Sequence, residues 1–175
     1  NEDLELVFRD KTVGRVPARQ IWSKIVSNAL KGGEPGLLNG YYANKMSNIY
    51  YWQPLVASNP CGEIFLPAFG CCNLGAVVLP RFVGDKGEVS WEHLKETVET
   101  GVRFLDDVLT VNNYPLQEIA ETCKNERRIG LGVMGLHDML LMKGLKYTSD
   151  TGLEFVDKVM GFVKNAAYEA SISLA

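Results

Sequence analysis

The chain has 175 residues, of which 46% are hydrophobic and 22% charged, with a formal net charge of −3. That is an ordinary globular composition with one sizeable core. No Lys/Arg run marks a duplex-binding surface, so neither DNA nor RNA is an expected partner. No apolar run reaches 18 residues, so no membrane span is expected either.

In chain order, Pro17 to Leu30 reads as a helix. Ile21, Trp22, Ile25, Val26, Ala29 and Leu30 recur at helical spacing, and Gly32-Gly33 ends it. Gly33-Glu34-Pro35-Gly36 turns the chain into the apolar pair Leu37-Leu38. The aromatic, Asn-rich stretch Tyr41 to Trp52 has weak periodicity and reads as mostly loop. Ser58 to Gly62 is turn-rich and is followed by a short apolar run at Ile64 to Leu66. Leu74 to Leu79 is a strand candidate with β-branched Val77 and Val78. After the turn signal Asp85-Lys86-Gly87, Ser90 is placed to cap a helix to about residue 111, with Leu94, Val98, Val102, Leu105 and Leu109 on one face. Asn112-Asn113-Tyr114-Pro115 breaks it and a second helix runs to about Lys124. Arg128 to Met134 reads as a buried strand, with helices at Leu136–Met142 and from Thr151 onward. Strands alternating with long helices predict an α/β fold with parallel pairing, as one domain over residues 1–175. Neither end reads as a natural terminus, so the expectation is an internal piece of a longer polypeptide.

Four cysteines, Cys61, Cys71, Cys72 and Cys123, with no Cys-x-x-Cys, favour reduced thiols and a cytoplasmic setting over a disulfide framework. With His93 and His137 far along the chain, no metal site is expected. The stretch with most chemistry is Asn59-Pro60-Cys61-Gly62-Glu63. If it is extended, Asn59, Cys61 and Glu63 share one face at spacings of about 6.5–7 Å, the width of a sugar ring. Such a strip offers an amide, a thiol and a base to a hydroxylated ring. Pro67-Ala68-Phe69-Gly70 can reverse the chain and bring Cys72 back toward Cys61. Against this stands the plainer reading of Cys61 as a small buried hydrophobe.

Cys71 reads as a packed side chain on the face opposite Cys72, and Cys123, on a helical pattern, as core or surface filler. Arg127-Arg128 reads as a solvated or salt-bridged pair at a strand start, and His137 as structural. Gly130, Gly132 and Gly135 lack dinucleotide-fingerprint spacing and read as close strand–helix packing. Trp22, Trp52 and Trp91 read as core or interface anchors.

Taken together, Gly33-Glu34-Pro35-Gly36-Leu37, Asn59-Pro60-Cys61-Gly62-Glu63-Ile64, Cys72-Asn73-Leu74-Gly75 and Arg127-Arg128-Ile129-Gly130-Leu131-Gly132-Val133-Met134-Gly135-Leu136 resemble the ribonucleotide reductase catalytic subunit. The Asn-Pro-Cys-Gly-Glu wording is most like the adenosylcobalamin-dependent class. The resemblance implies a ten-stranded α/β barrel with Cys61 at the tip of a finger loop. It makes Cys61 the thiyl-radical cysteine, Glu63 the base at the 3′-hydroxyl, Asn59 the residue that orients the sugar, and Cys72 one member of the redox pair. Its partner cysteine and the effector sites would lie outside this stretch, so the chain alone is expected to be inactive. No residue is singled out for holding the cofactor. The implied partners are a ribonucleoside di- or triphosphate, a thioredoxin-like or dithiol reductant, deoxynucleotide effectors and a second copy in a homodimer. Three other readings compete. One is a reductase served by a separate metal-bearing radical subunit. Another is a thiol–disulfide protein using Cys61 with Cys72, and the third is a binding module with inert cysteines.

Overall fold

The structure is a computed structural model that describes residues 2–175. The chain divides into two compact units, Asn1–Ala68 and Phe69–Ala175.

The first unit opens with a hairpin of β1 (Asp3–Phe8) and β2 (Lys11–Pro17), paired antiparallel with Leu4 opposite Val16. The hairpin lacks an Asn-Gly or Asp-Gly signal. Its reversal instead holds Arg9 and Asp10 at φ of 48° and 62°, two non-glycine residues in the left-handed region that such a turn demands. Helix α1 (Ala18–Gly32) follows, and Gly33 closes it at φ 78°, donating its N–H to the carbonyl of Ala29.

The stretch from Tyr41 to Trp52, expected to be mostly loop, begins with helix α2 (Gly40–Met46). The asparagines that make it look irregular are what build the helix. Asn39 Oδ1 accepts from the Tyr42 N–H at 3.0 Å as the N-cap. Asn44 donates to the Leu55 carbonyl at 2.9 Å and accepts from the Leu55 N–H at 2.7 Å, tying α2 to the chain ahead. Two short strands, β3 (Ala57–Ser58) and β4 (Phe65–Leu66), then pair antiparallel.

In the second unit, β5 (Asn73–Val78) and β6 (Ile129–Met134) pair in parallel, with Asn73 opposite Ile129 and Val78 opposite Met134. A short 3-10 turn at Leu79–Phe82, helix α3 (Trp91–Val111) and helix α4 (Gln117–Glu126) fill the connection between them. Such a connection is what parallel pairing requires. Helices α5 (Leu136–Met142) and α6 (Asp150–Leu174) complete the unit. Ser90 occupies the N-cap position of α3 as expected, but its side chain makes no capping bond; it is α6 that has a side-chain cap, Ser149, whose hydroxyl accepts from the Gly152 N–H at 3.1 Å.

The core lies between Val77 and Ala170. Leu94, Val98, Val102, Leu105 and Leu109 recur every three or four residues along α3 and are all buried there. Val77 and Leu79, Met139 of α5, and Val159, Val163 and Ala166 of α6 join Leu94 and Val98 in one cluster. The expected parallel α/β arrangement is therefore present. A ten-stranded barrel is not: among the described residues the strands form three two-stranded sheets, and no barrel closes. The strand at Ile129–Met134 is half-buried to exposed where full burial was expected, because only one of its faces is covered. Among the described residues no helix is long and apolar enough to cross a membrane.

Leu94 is fully buried, whereas Leu30 is 83% exposed. Leu94→Ala should cost about 2–5 kcal/mol in urea unfolding, and Leu30→Ala within roughly 0.5 kcal/mol of nothing. Equal effects would show that the α3 seam is not the core.

Candidate functional site

Cys61 sits at the apex of the β3–β4 hairpin. The Gly62 N–H donates to the Asn59 carbonyl at 3.0 Å, closing a turn with Pro60 and Cys61 as its central residues. Pro60 suits the first central position because its ring fixes φ. Gly62 follows at φ 78°, where a side chain is strained, and a Cβ there would stand 3.3 Å from Leu38. The Asn59 N–H donates to the Ile64 carbonyl at 3.3 Å, while Asn59 Oδ1 accepts from the Ile64 N–H at 3.2 Å. The amide of Asn59 thus replaces its own backbone carbonyl in the last rung of the hairpin.

This corrects the expectation of an extended strip. Asn59, Cys61 and Glu63 are not alternate residues of a strand; they surround a tight turn. Cys61 and Glu63 are exposed and Asn59 is half-buried. The plainer reading of Cys61 as a buried hydrophobe is excluded by its exposure.

Cys72 belongs to the second unit and immediately precedes β5. Its Sγ approaches the Asn73 carbonyl at 3.6 Å and is half-buried. Gly130 makes this placement feasible. A Cβ on it would lie 2.5 Å from Leu74 Cδ2 and 3.4 Å from the sulfur of Cys72. The glycines of β6 therefore serve strand–strand approach more than the strand–helix packing expected of them. Gly135, at φ 70°, likewise leaves room for the Pro80 ring. Asn73 donates to the Leu105 carbonyl at 2.7 Å, fastening the start of β5 to the middle of α3.

The other cysteines do something unexpected. Cys71 Sγ lies 2.9 Å from Cys123 Sγ, with no disulfide among the described residues. Cys123 is buried on α4, and burial first, then the hydrogen bond with Cys71, push its thiol up to about 11. No local signal could have found this pair, since 52 residues separate its members. Cys123 is core, as one of its two readings had it, yet it is not inert filler with respect to Cys71.

Arg127 and Arg128 are both salt-bridged, as expected of a pair at a strand start. Arg127 grips Asp106 with two hydrogen bonds of 2.7 Å and also reaches Thr110 Oγ1 at 3.0 Å; Arg128 pairs with Glu126. His137 stacks edgewise on Tyr147, with ring centroids 5.8 Å apart. Trp91 packs against Phe162, while Trp22 and Trp52 are exposed.

A family model described as "Ribonucleotide reductase, barrel domain" matches residues 2–175. The chain belongs to the ribonucleotide reductase barrel-domain family. It is 38% identical over 94% of its length to a vitamin B12-dependent ribonucleoside-diphosphate reductase of Thermoplasma acidophilum, covering 22% of that protein. A vitamin B12-dependent ribonucleoside-diphosphate reductase of Mycobacterium tuberculosis is 39% identical over the same share, with 24% of it covered. The chain thus spans under a quarter of the length of these curated relatives. Among solved structures, the Actinobacillus ureae class Id ribonucleotide reductase alpha subunit matches with a TM-score of 0.75 and 26% identity, over 90% of this chain and 31% of that one. Membership rests on the whole described length, so both the hairpin bearing Cys61 and the β5–β6 pair beside Cys72 fall inside the reductase match.

Arg127 holds the Asp106 carboxyl below its ordinary 3.8, hydrogen bonding outweighing desolvation. A lowered carboxyl stabilises the fold above its unfolded-state pKa and loses that contribution as pH falls through the folded one. Because both partners are partly exposed, Arg127→Ala should cost only about 1 kcal/mol at neutral pH. The difference from wild type should shrink below about pH 4. A pH-independent difference in chemical denaturation would contradict the pairing.

Proposed function

We propose that the protein reduces ribonucleotides to 2′-deoxyribonucleotides by thiyl-radical chemistry, with Cys61 as the radical-bearing residue. The observation that carries this reading is an exposed thiol at the apex of a hairpin, flanked by an amide and a carboxylate, within a chain that matches the reductase barrel family throughout. The β3–β4 hairpin would be the finger loop of a ten-stranded barrel completed by residues beyond the two parallel strands present here. The names of the relatives favour a ribonucleoside diphosphate as substrate and vitamin B12 as cofactor.

The chain offers such a cofactor a suitable target. Pro60 and Gly62 beside Cys61 carry no polar side chain, and the exposed sulfur is open to a large group. When bound, adenosylcobalamin supplies the one-electron oxidation that converts a thiol into a thiyl. Cys61 then takes the 3′-hydrogen atom of the ribose, and the 3′-hydroxyl proton passes to the Glu63 carboxylate, a general-base role. The 2′-hydroxyl leaves as water. Two thiols, Cys72 being one, provide two electrons and close a disulfide, and Cys61 returns its hydrogen to C3′. A thioredoxin-like or other dithiol reductant reopens the disulfide. Because Asn59 Oδ1 is committed to the turn, Asn59 would orient the sugar through its Nδ2 hydrogens. Deoxynucleotide effectors, assembly as a homodimer and a cytoplasmic location accompany this reading.

The test is cytidine diphosphate reduction by the protein expressed from its full reading frame, with a dithiol and with or without adenosylcobalamin. Cys61→Ser should abolish product, a loss of at least about a thousandfold. Glu63→Gln should lower kcat by roughly 10²–10⁴. Cobalamin-independent turnover restored by a separate metal-bearing subunit would keep the reaction and reject the cofactor. Full activity in Cys61→Ser would reject the reading itself.

A further inference from the structure

Two thiols that the proposed reaction does not use face each other inside the second unit. Cys71 leads into β5, Cys123 lies three residues from the end of α4, and their sulfurs stand 2.9 Å apart. That is inside ordinary sulfur–sulfur contact, and a shift of about 0.9 Å would bring them to the bonded distance of about 2.05 Å. It is too short to admit a metal ion between them, because thiolate–metal bonds of about 2.3 Å place two ligand sulfurs farther apart. Among the described residues no group of three or more metal-ligating side chains exists. The surroundings close the site further. Cys123 is 1% exposed, its Sγ also approaches the Phe69 carbonyl at 3.9 Å, and the Tyr114 phenol, half-buried, is bonded nearby to the Leu109 carbonyl at 3.0 Å.

We propose that Cys71 and Cys123 are a reversible dithiol–disulfide site, separate from Cys72, that accepts oxidising equivalents from low-molecular-weight disulfides. Cys71 is the half-exposed member and makes the first attack. As thiolate it displaces one thiol from the small disulfide and forms a mixed disulfide. The Cys123 sulfur, having lost its proton, then attacks the Cys71 sulfur and releases the second small thiol. Two protein thiols and one small disulfide become one protein disulfide and two small thiols, so hydrogens and electrons balance. The new bond ties the segment ahead of β5 to α4 and closes a covalent loop that contains all of α3. Neither step depends on the role proposed for Cys61 or Cys72.

The test uses the full chain, reduced, then equilibrated with oxidised glutathione and quenched by alkylation. Peptide mapping should find Cys71 joined to Cys123, with that link retained in Cys61→Ser and in Cys72→Ser. In Cys71→Ser the linked fraction should fall by about tenfold or more, and circular dichroism establishes whether that variant is folded. Oxidised wild type should also melt roughly 5–10 °C above reduced, a gap that closes in Cys71→Ser. A dominant link from Cys72 to Cys123, links that shuffle among all four cysteines, or Cys71 and Cys123 both recovered alkylated would each overturn the proposal. So would a wild-type link without any change in melting, since a bond across an already formed contact must constrain the unfolded chain.

Discussion

The second unit depends on one apolar seam along α3. A helix buries a stripe only if its spacing and its neighbours agree, and here α3 packs against β5, β6 and α6 with Leu94, Val98, Val102, Leu105 and Leu109 all buried, the first two in one cluster with Val77 of β5 and Val159 of α6. The small residues Ala166 and Ala170 of α6 let it lie close, and Gly101 of α3 leaves Leu131 of β6 the space a Cβ would narrow to 3.3 Å. Without that seam the parallel pair β5–β6 would have nothing beneath it, since two strands alone do not make a stable sheet. Cys72 takes its position from the same packing, because Asn73 anchors the start of β5 to the α3 carbonyl of Leu105.

The hairpin that presents Cys61 is held by different means. It has almost no core of its own and relies on directed bonds: Asn59 closing the last rung, Gly62 accepting a backbone conformation other residues resist, and Asn44 fixing the chain ahead of β3. A turn built this way puts a thiol forward on a hydrogen-bonded backbone, which is what the role proposed for Cys61 would require. It also explains why the two carbonyl-bearing neighbours of Cys61 differ in character. Asn59 is spent partly on structure, whereas Glu63 is exposed.

The long periodic elements were legible because their signals are local. The spacing of α3, the break at Asn112–Pro115, the β-branched run of β5 and the glycine ending α1 each determine structure within a few residues. Two local patterns misled for physical reasons. In α2 the asparagines act as cap and bridge, a use that periodicity does not register. At Asn59–Glu63 the alternation argument assumed an extended chain, whereas Pro60 at a turn's first central position and Gly62 with positive φ were the better signals. The β1–β2 reversal lacked any such cue because Arg9 and Asp10 carry the strained conformation that glycine usually takes. The barrel expected from the family resemblance needs more strands than the described residues contain.

The vicinal cysteines follow the same division between local and distant signals. Adjacent residues in extended backbone send their side chains to opposite faces, which is why Cys71 and Cys72 were expected to enter different environments. The alternation says nothing about what waits on each side. On one, Gly130 makes room for the Cys72 sulfur beside β6; on the other, α4 presents Cys123. One stretch of two residues can therefore hold two thiols with separate partners, and the backbone itself keeps them from competing. Exchange between Cys72 and Cys123 would require the Cys72 sulfur to leave the space beside Gly130 that it occupies at the start of β5.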